Sequence, residues 1–323
     1  MRPPASTFRL ASFASGRTGT GTNNGADTPI PSIFGRKELP HTMRTHIVAF
    51  LGEFVGTFMF LFFAFAGTQV ANTPPAPTDD TGAVAPPNAA NLIFIALAFG
   101  TSLMANVWAF YRVTGGLFNP SVTLALFLVG GIPALRSVLF LVAQLLGGIA
   151  AAGVVSALFP GPMAVNTTLG GGASVAQGLF IEMFLTAELV FVIIMVAAEK
   201  HKSTFLAPVA IGLAFFLAEL VGVYFTGGSL NFARSLGPAV VNGTFPGYFW
   251  IYFVGPMLGS LLASGFYSLL NYLRWKDCNP GQDFNDVEKL RSLSQKHVNG
   301  DDTKNGVRET NGGVVEQDEH VDH

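Results

Sequence analysis

The chain has 323 residues, of which 50% are hydrophobic and only 12% are charged. A soluble globular domain carries about a quarter charged residues, so this composition argues against an ordinary soluble protein and indicates several membrane spans. The formal net charge is −2, and the charges in the terminal segments are mixed in sign, which leaves no basic patch for nucleic acid.

The two ends of the chain differ from its middle. Residues 1–45 are rich in Ser, Thr, Gly and Pro and lack an apolar signal-peptide core. We expect them to form a disordered cytoplasmic tail; a transit peptide is the alternative. Residues 276–323 are polar and predict a second disordered cytoplasmic tail. Residues 46–275 between them are predicted to form one membrane domain.

Six apolar stretches are long enough to cross a bilayer, which takes about 20 helical residues. They lie at about 46–71, 91–111, 134–158, 174–198, 205–225 and 247–272. Two further apolar stretches, 119–129 and 231–241, have half that length, and each would rise about 15 Å as a helix. The predicted fold class is therefore an all-α membrane protein with six transmembrane helices and two re-entrant half-helices.

The positions of Lys and Arg predict that both termini are cytoplasmic. The basic residues that decide this orientation are Arg36, Lys37, Arg44, Arg112, Arg136, Lys200, Lys202, Arg274 and Lys276. An odd number of spans per half then inverts the second half, about 174–272, relative to the first, about 46–158. Glycosylation sequons at Asn166 and Asn242 fall on the opposite side of the membrane and agree with this orientation.

Each half-helix follows a glycine pair and an asparagine. The two segments read Gly115-Gly116-Leu117-Phe118-Asn119 and Gly227-Gly228-Ser229-Leu230-Asn231. Asparagine is a favoured N-cap, and Pro120 is pre-set for the first helical position. The positive ends of both half-helices are expected to point at the bilayer centre. That arrangement predicts a passage for neutral solutes that repels protons and metal cations.

These residues resemble the aquaporin, or major intrinsic protein, family over about 46–275, and within it the water-type branch found in fungi. The first family box is Asn119-Pro120-Ser121, with Ser in place of Ala, and the second is Asn231-Phe232-Ala233, with Phe in place of Pro. The resemblance implies the aquaporin fold, a pore centre at these two boxes, and a homotetramer in which each subunit has its own pore. The second half-helix is expected to tolerate the missing proline, with a more loosely held Asn231 as the potential cost.

The resemblance also implies an outer selectivity filter, placed by spacing from the two asparagines. Its residues are Phe99, Glu219, Gly228 and Arg234. Water channels usually have His where Glu219 stands. A carboxylate near Arg234 would either weaken the exclusion of cations or narrow the pore by tethering Arg234, whereas Gly228 would widen it. Glu219 could instead point into the bundle as a structural carboxylate.

Two other carboxylates in the spans match a structural feature of the family. Glu53 and Glu182 stand where the family has buried carboxylates that hold backbone N–H groups of the loops. Glycerol channels typically carry Asp where Ser235 stands, which favours the water branch. The sequence shows no nucleophile–base pair or metal cluster at membrane depth, so we expect no enzyme activity, no cofactor and no metal.

The predicted function is a passive water channel of the plasma membrane. It is expected to pass hydrogen peroxide or other small neutral solutes as well, and to exclude protons and cations. A facilitator for larger neutral solutes such as glycerol is the first alternative. A closed-pore membrane protein with a structural or adhesive role is the second. The predicted partners are water and small neutral solutes, the lipid bilayer and other copies of the chain, but no nucleic acid.

Overall fold

A computed structural model describes residues 40–73 and 89–282, and every regular element within these ranges is helical. The helices are α1 (His41–Ala71), α2 (Ala89–Phe110), α3 (Pro120–Leu128), α4 (Ala134–Leu158), α5 (Val175–Ile193), α6 (Ala207–Thr226), α7 (Phe232–Asn242) and α8 (Ile251–Tyr272). Shorter pieces are a π-helical turn (Ile194–Ala198) and 3-10 turns (Thr204–Leu206 and Trp275–Asp277).

Six helices are long and apolar enough to cross a membrane, with mean hydropathy between 1.4 and 2.4, and they fall on the six predicted spans. The π turn continues α5 to Ala198, and a 3-10 turn begins the fifth span at Thr204. The protein is therefore a multi-pass membrane protein. The half-length segments form α3 and α7, of 9 and 11 residues, which confirms the predicted fold class.

The start of the first span was predicted too late. Helix α1 begins at His41, so residues 41–45 are helical and do not belong to a disordered tail. Pro40 precedes the helix in an extended conformation, with φ −48° and ψ 137°, and polar residues continue the helix beyond the apolar run because their side chains stay exposed. The remaining parts of the tail predictions, residues 1–39 and 283–323, lie outside the described residues.

Close approach of backbones at glycine holds the two halves together. Helices α2 and α6 cross at Gly100 and Gly212, where no side chain separates them. A β-carbon on Gly100 would lie 2.8 Å from the carbonyl oxygen of Gly212, and one on Gly212 would lie 2.7 Å from that of Gly100. Small residues allow such contacts between membrane helices. Helices α2 and α6 are the second helices of the two halves, and each brings a glycine against the backbone of the other.

The first and third long helices of each half also pair through glycine. On α4, a β-carbon on Gly147 would lie 2.7 Å from the carbonyl oxygen of Phe54 on α1. On α8, a β-carbon on Gly259 would lie 2.5 Å from the carbonyl oxygen of Met183 on α5. The same pairing in both halves agrees with the predicted inverted repeat, and it leaves a central space that α3 and α7 enter.

The described residues from Asn271 onward belong to a separate compact unit. This unit contains the 3-10 turn Trp275–Asp277 and an ion pair between Arg274 and Asp277 at 2.8 Å. Both partners of the pair are largely exposed, so it contributes little to stability.

Candidate functional site

Both half-helices begin at a capping asparagine, as predicted. The side-chain oxygen of Asn119 accepts a hydrogen bond from the backbone N–H of Ser121 at 2.8 Å. That of Asn231 accepts from the N–H of Ala233 at 2.9 Å and of Arg234 at 3.4 Å. Both asparagines are buried and extended, with φ −148° and −152°. Each half-helix is thus capped at its N-terminus by its own asparagine.

The two asparagines are also joined to each other's half-helix. The side-chain nitrogen of Asn119 donates to the carbonyl oxygen of Leu230 at 2.8 Å, and that of Asn231 donates to the carbonyl oxygen of Phe118 at 2.9 Å. Each acceptor is the residue directly before the other asparagine. The half-helices therefore meet end to end through a reciprocal pair of hydrogen bonds, and their positive ends face one another.

The residue before each asparagine has a left-handed backbone. Phe118 has φ 51° and Leu230 has φ 49°. Bulky residues rarely adopt this conformation, which costs about 1–3 kcal/mol and persists only where surrounding contacts impose it. Here the conformation turns the two carbonyl oxygens toward the opposite asparagine. The strained conformation occurs in both glycine-asparagine segments of the chain, so it belongs to the geometry that joins the half-helices.

Two buried carboxylates impose these turns. Glu53 accepts hydrogen bonds from the backbone N–H groups of the two residues before Asn119, at 3.2 and 2.9 Å. Glu182 does the same for the two residues before Asn231, at 2.9 and 2.8 Å. Both carboxylates are fully buried, and such charge-assisted bonds are stronger than neutral ones. Glu53 and Glu182 thus lie where the resemblance placed them.

Sequence reasoning missed two supporting polar side chains on the spans. Gln144 on α4 donates to Glu53 at 2.8 Å and to the hydroxyl of Thr123 at 2.9 Å. Ser260 on α8 donates to the carbonyl oxygen of Ser121 at 2.7 Å. Both are fully buried. The available signal was a polar residue inside an apolar span, which usually faces the bundle interior.

The second box holds its asparagine without proline. Phe232 occupies the first position of α7, and its ring packs on Phe253 at 5.1 Å and on Phe249 at 6.1 Å between ring centroids. Asn231 keeps both its cap and its crossing hydrogen bond. The cap does not use the N–H at position 232, so both hydrogen bonds of Asn231 form without a proline there.

The four residues predicted for the outer filter lie together, and we call them the outer cluster: Phe99, Glu219, Gly228 and Arg234. Arg234 is fixed by three backbone carbonyl oxygens, those of Val165 at 2.6 Å, Gly228 at 3.0 Å and Gly227 at 3.1 Å. The Phe99 ring lies against the guanidinium, 4.9 Å from its central carbon. These contacts hold the positive charge of Arg234 at one place in the outer cluster.

Phe65 is a further wall residue that sequence reasoning missed. Its ring centroid lies 5.5 Å from the guanidinium carbon of Arg234, and the ring is fully buried. Phe65 also makes an edge contact with Phe99. The sequence gives no signal that separates Phe65 from the other phenylalanines of α1, and only the fold reveals its position beside Arg234.

Glu219 lies in the cluster but does not tether Arg234. It is fully buried, and no nitrogen of Arg234 comes within 4.0 Å of its carboxylate oxygens. The carboxyl instead lies over Gly228, where a β-carbon would come within 1.8 Å of Oε2. The sequence left open whether Glu219 lies in the outer cluster or points into the bundle, and the structure places it in the cluster. Arg234 is held by backbone carbonyl oxygens and not by Glu219.

A narrow cavity surrounds the two asparagines. Its volume is about 10 Å³, roughly what one water molecule requires. Its lining residues are Phe60, Leu103, Val107, Gly116, Leu117, Asn119, Val122, Leu189, Ile193, Ile211, Phe215 and Asn231. The asparagines supply amide groups to walls that are otherwise apolar side chains and glycine.

The two sequon asparagines are neighbours. The side-chain nitrogen of Asn242 donates to the side-chain oxygen of Asn166 at 2.7 Å. Asn166 lies between α4 and α5, and Asn242 ends α7. Both loops therefore open on one side of the helix bundle, as the predicted topology requires.

Known proteins resemble this chain over most of its length. It is 58% identical over 255 residues to "Aquaporin-7" of Botryotinia fuckeliana (strain B05.10), covering 79% of this chain and 56% of that protein. It is 54% identical to "Probable aquaporin-5" of Gibberella zeae, covering 79% and 47%, and 49% identical to "Aquaporin-1" of Gibberella zeae, covering 76% of each. The chain thus spans about half the length of the first two relatives.

A solved structure shares the fold. It is described as "X-ray structure of the aquaglyceroporin from Plasmodium falciparum", with a TM-score of 0.58 and 23% sequence identity, covering 69% of this chain and 95% of that chain. The major intrinsic protein family matches residues 41–267, which include both half-helices and all four residues of the outer cluster. From these matches and the geometry of the two capped half-helices, the chain belongs to the major intrinsic protein family.

Proposed function

We propose that this chain forms a passive channel for water across a membrane, with passage of hydrogen peroxide or similarly small neutral solutes. The observation that carries the proposal is the reciprocal junction of two half-helices, Asn119 with Leu230 and Asn231 with Phe118. The junction adjoins a cavity with room for about one water molecule. A passage of that width favours solutes in single file.

The asparagines offer donors to a passing solute. A side-chain amide has two N–H donors, and the crossing hydrogen bond uses one on each asparagine. The remaining N–H of each can donate to a solute oxygen at the junction. Apolar walls such as Phe215 and Ile211 make no competing hydrogen bonds, so a solute moves on without being held strongly.

Exclusion of protons and metal cations follows from fixed positive charge. The two half-helix N-termini each carry roughly half a positive charge, and both face the junction. Arg234 adds a full charge held rigidly by three carbonyl oxygens. Half-helix dipoles and arginines are physical barriers of this kind in selective pores.

The proposal includes a homotetramer in the plasma membrane with both termini cytoplasmic. Arg44 lies in the first turn of α1 and Lys200 follows the π-helical turn after α5, consistent with the positive-inside rule. Helices α5 and α6 also expose an apolar groove of about 630 Å³, lined in part by Phe180, Phe184, Val221 and Phe225. A neighbouring copy would cover such a groove in the bilayer. Chemical cross-linking in detergent tests this assembly directly.

An osmotic jump on proteoliposomes tests the channel itself. Vesicles containing the full chain are expected to shrink faster than empty vesicles, with a weak temperature dependence, because water crosses a preformed passage. Glycerol entry, measured in the same vesicles by reswelling, is expected to stay at the level of empty vesicles. Water flux equal to that of empty vesicles would refute the proposed function.

A further inference from the structure

A second apolar groove lies where α1 and α4 begin. Its volume is about 750 Å³, within the range of about 300–1,000 Å³ that ligand pockets occupy. Met43, Ile47 and Leu51 of α1 and Leu135 of α4 line the groove and are exposed. From His41 to Leu51, α1 rises about 15 Å, which is the hydrocarbon depth of one leaflet. The groove therefore has the length and the apolar walls that suit an acyl chain.

Basic side chains stand at the end of this groove where the two helices begin. Arg44 lies four residues after Pro40 and three before Ile47, which both line the groove, and such spacings share one side of a helix. Arg136 lies three residues before Leu139, which lines the groove from α4. The first turns of α1 and α4 contain no acidic residue. This end of the groove therefore carries positive charge that no carboxylate in those turns offsets.

Two nitrogens near the same end have no hydrogen-bond partner in the part of the chain that the structure describes. They are Nδ1 of His46, which lines the groove, and Nε of Arg136, and both atoms are buried. Leaving a buried polar atom unpaired is unfavourable. Arg136 donates from Nε, and His46 donates from Nδ1 when that nitrogen carries a proton. A ligand that accepts hydrogen bonds would satisfy both nitrogens.

The first turns of α1 and α4 add backbone donors. Each helix follows a proline, Pro40 or Pro133, which has no side-chain oxygen to cap the free N–H groups. Thr42 in the first turn of α1 and Leu135 in the first turn of α4 both line the groove, so the two N-termini adjoin it. A helix N-terminus carries roughly half a positive charge and stabilises a bound phosphate. These donors complement an anionic headgroup.

An anionic phospholipid matches both parts of the groove. Its acyl chain suits the apolar walls, and its phosphate suits the basic end, as in other basic pockets between membrane helices. A free phosphate ion would leave the apolar walls uncovered. The groove on α5 and α6 differs, because its lining residues include no Lys, Arg or His. The difference in charge favours a lipid in the groove of α1 and α4.

We propose that the groove between α1 and α4 binds an anionic phospholipid of the leaflet in which both helices begin. The phosphate lies against Arg44, His46 and Arg136, and one acyl chain follows residues 43–51. The bound lipid satisfies the two unpartnered nitrogens and joins the first turns of α1 and α4. This inference goes beyond the channel function, because no residue of the cavity or of the outer cluster takes part.

A tryptophan in the groove tests for the lipid directly. In the full-length chain, Leu139→Trp places an indole in the groove, and Leu213→Trp places one at an exposed position of α6 as the matched control. The two positions are the sixth residue of α4 and the seventh of α6. The unsubstituted chain gives the background of its three tryptophans. Phosphatidylcholine vesicles that hold each protein receive increasing amounts of dibrominated phosphatidylserine or dibrominated phosphatidylcholine, whose bromine atoms quench tryptophan on contact.

The indole of Leu139→Trp is expected to prefer the serine lipid to the choline lipid by about tenfold, and that of Leu213→Trp is expected to show no preference. Adding Arg136→Gln to Leu139→Trp is expected to lower the preference about fivefold, the effect of about one basic side chain at a membrane surface. Lys202→Gln is the matched control for the lost charge, because Lys202 lies between α5 and α6 and does not line the groove. It is expected to leave the preference unchanged.

Five results would each overturn the assignment. Equal quenching by the two lipids at Leu139→Trp would show no selection of charge, and an equal preference at Leu213→Trp would show a general surface effect. Equal effects of Arg136→Gln and Lys202→Gln would exclude Arg136 from the site. Loss of the preference in millimolar inorganic phosphate, at constant ionic strength, would assign the site to a free anion. Quenching of Leu139→Trp by neither lipid would show that another part of the chain or a second copy covers the groove.

This experiment measures binding and not flux. A negative result therefore leaves the proposed channel function untouched, and a chain that conducts no water would still report whether the lipid binds.

Discussion

At the scale of single residues, the junction depends on carboxylates that never face the cavity. Glu53 and Glu182 each accept two consecutive backbone N–H groups before an asparagine. Those bonds hold Phe118 and Leu230 in the left-handed conformation that aims their carbonyl oxygens. The carboxylates therefore act on the junction through the backbone. Their removal should first affect folding and only then flux.

Glu53→Gln tests this dependence. An amide has one acceptor oxygen where the carboxylate has two, and its N–H₂ would face a backbone N–H. We expect a loss of about 1–3 kcal/mol, the usual cost of leaving a buried donor unsatisfied. The measurement is the apparent melting temperature of detergent-solubilised protein. Glu188→Gln serves as the control because its unpartnered oxygen supports no such backbone turn. Equal melting temperatures for the two variants would contradict the prediction.

At the scale of elements, α3 and α7 have different residues at their first position but the same asparagine cap at their N-terminus. Helix α3 has Pro120 at its first position, whereas α7 has Phe232, whose ring packs on Phe249 and Phe253. The proline at the start of α3 is thus replaced at the start of α7 by the aromatic packing of Phe232. The asparagine cap is made in both because it uses N–H groups further along the helix.

Comparison of Phe232→Pro with Phe232→Ala isolates these contributions. Both variants lose the aromatic contacts, but only proline restricts the unfolded chain and suits the first helical position. We expect Phe232→Pro to be more stable than Phe232→Ala by about 0.4–1 kcal/mol, with water flux retained in both. Thermal melting and the osmotic assay provide the measurements. A less stable proline variant would show that the N–H at position 232 is needed in the fold.

The elements were largely predictable, and the reasons are physical. Apolar length predicts the six spans and the two half-helices, and Asn119 with Pro120 marks a helix start in sequence. The predicted start of α1 was too late, since His41 and most of its neighbours are polar and give no apolar signal. Hydropathy reports where a chain enters the membrane core but not where helical hydrogen bonds begin.

The candidate site was predictable only in part. Spacing from the two asparagines singles out four residues that the structure brings together, but the carbonyl oxygens that hold Arg234 come from residues up to 69 positions away. The position of Glu219 over Gly228 likewise depends on how α6 meets the following loop. Left-handed φ at Phe118 has no sequence signal, because a bulky residue adopts it only under tertiary constraint.

At the scale of the whole molecule, the distribution of thiols predicts the response to mercury. Cys278 is the single cysteine of the chain, and it is exposed after α8. The cavity and the outer cluster contain none, so mercuric ions find no thiolate in the passage. Water flux is expected to be unchanged by micromolar mercuric chloride, both in the unsubstituted chain and in Cys278→Ser. A block that disappears in Cys278→Ser would show that a thiol outside the passage controls it.

The crossing hydrogen bonds also set an order of events during synthesis. Asn119 leaves the ribosome 111 residues before its acceptor, the carbonyl of Leu230, so the first half inserts with its re-entrant segment incomplete. Unpaired polar groups at that depth are unfavourable in lipid. We therefore expect the side-chain amide of Asn119 to stay hydrated or shielded until the second half has been synthesised. The junction needs both halves of the chain, because each asparagine donates to a carbonyl oxygen of the other half.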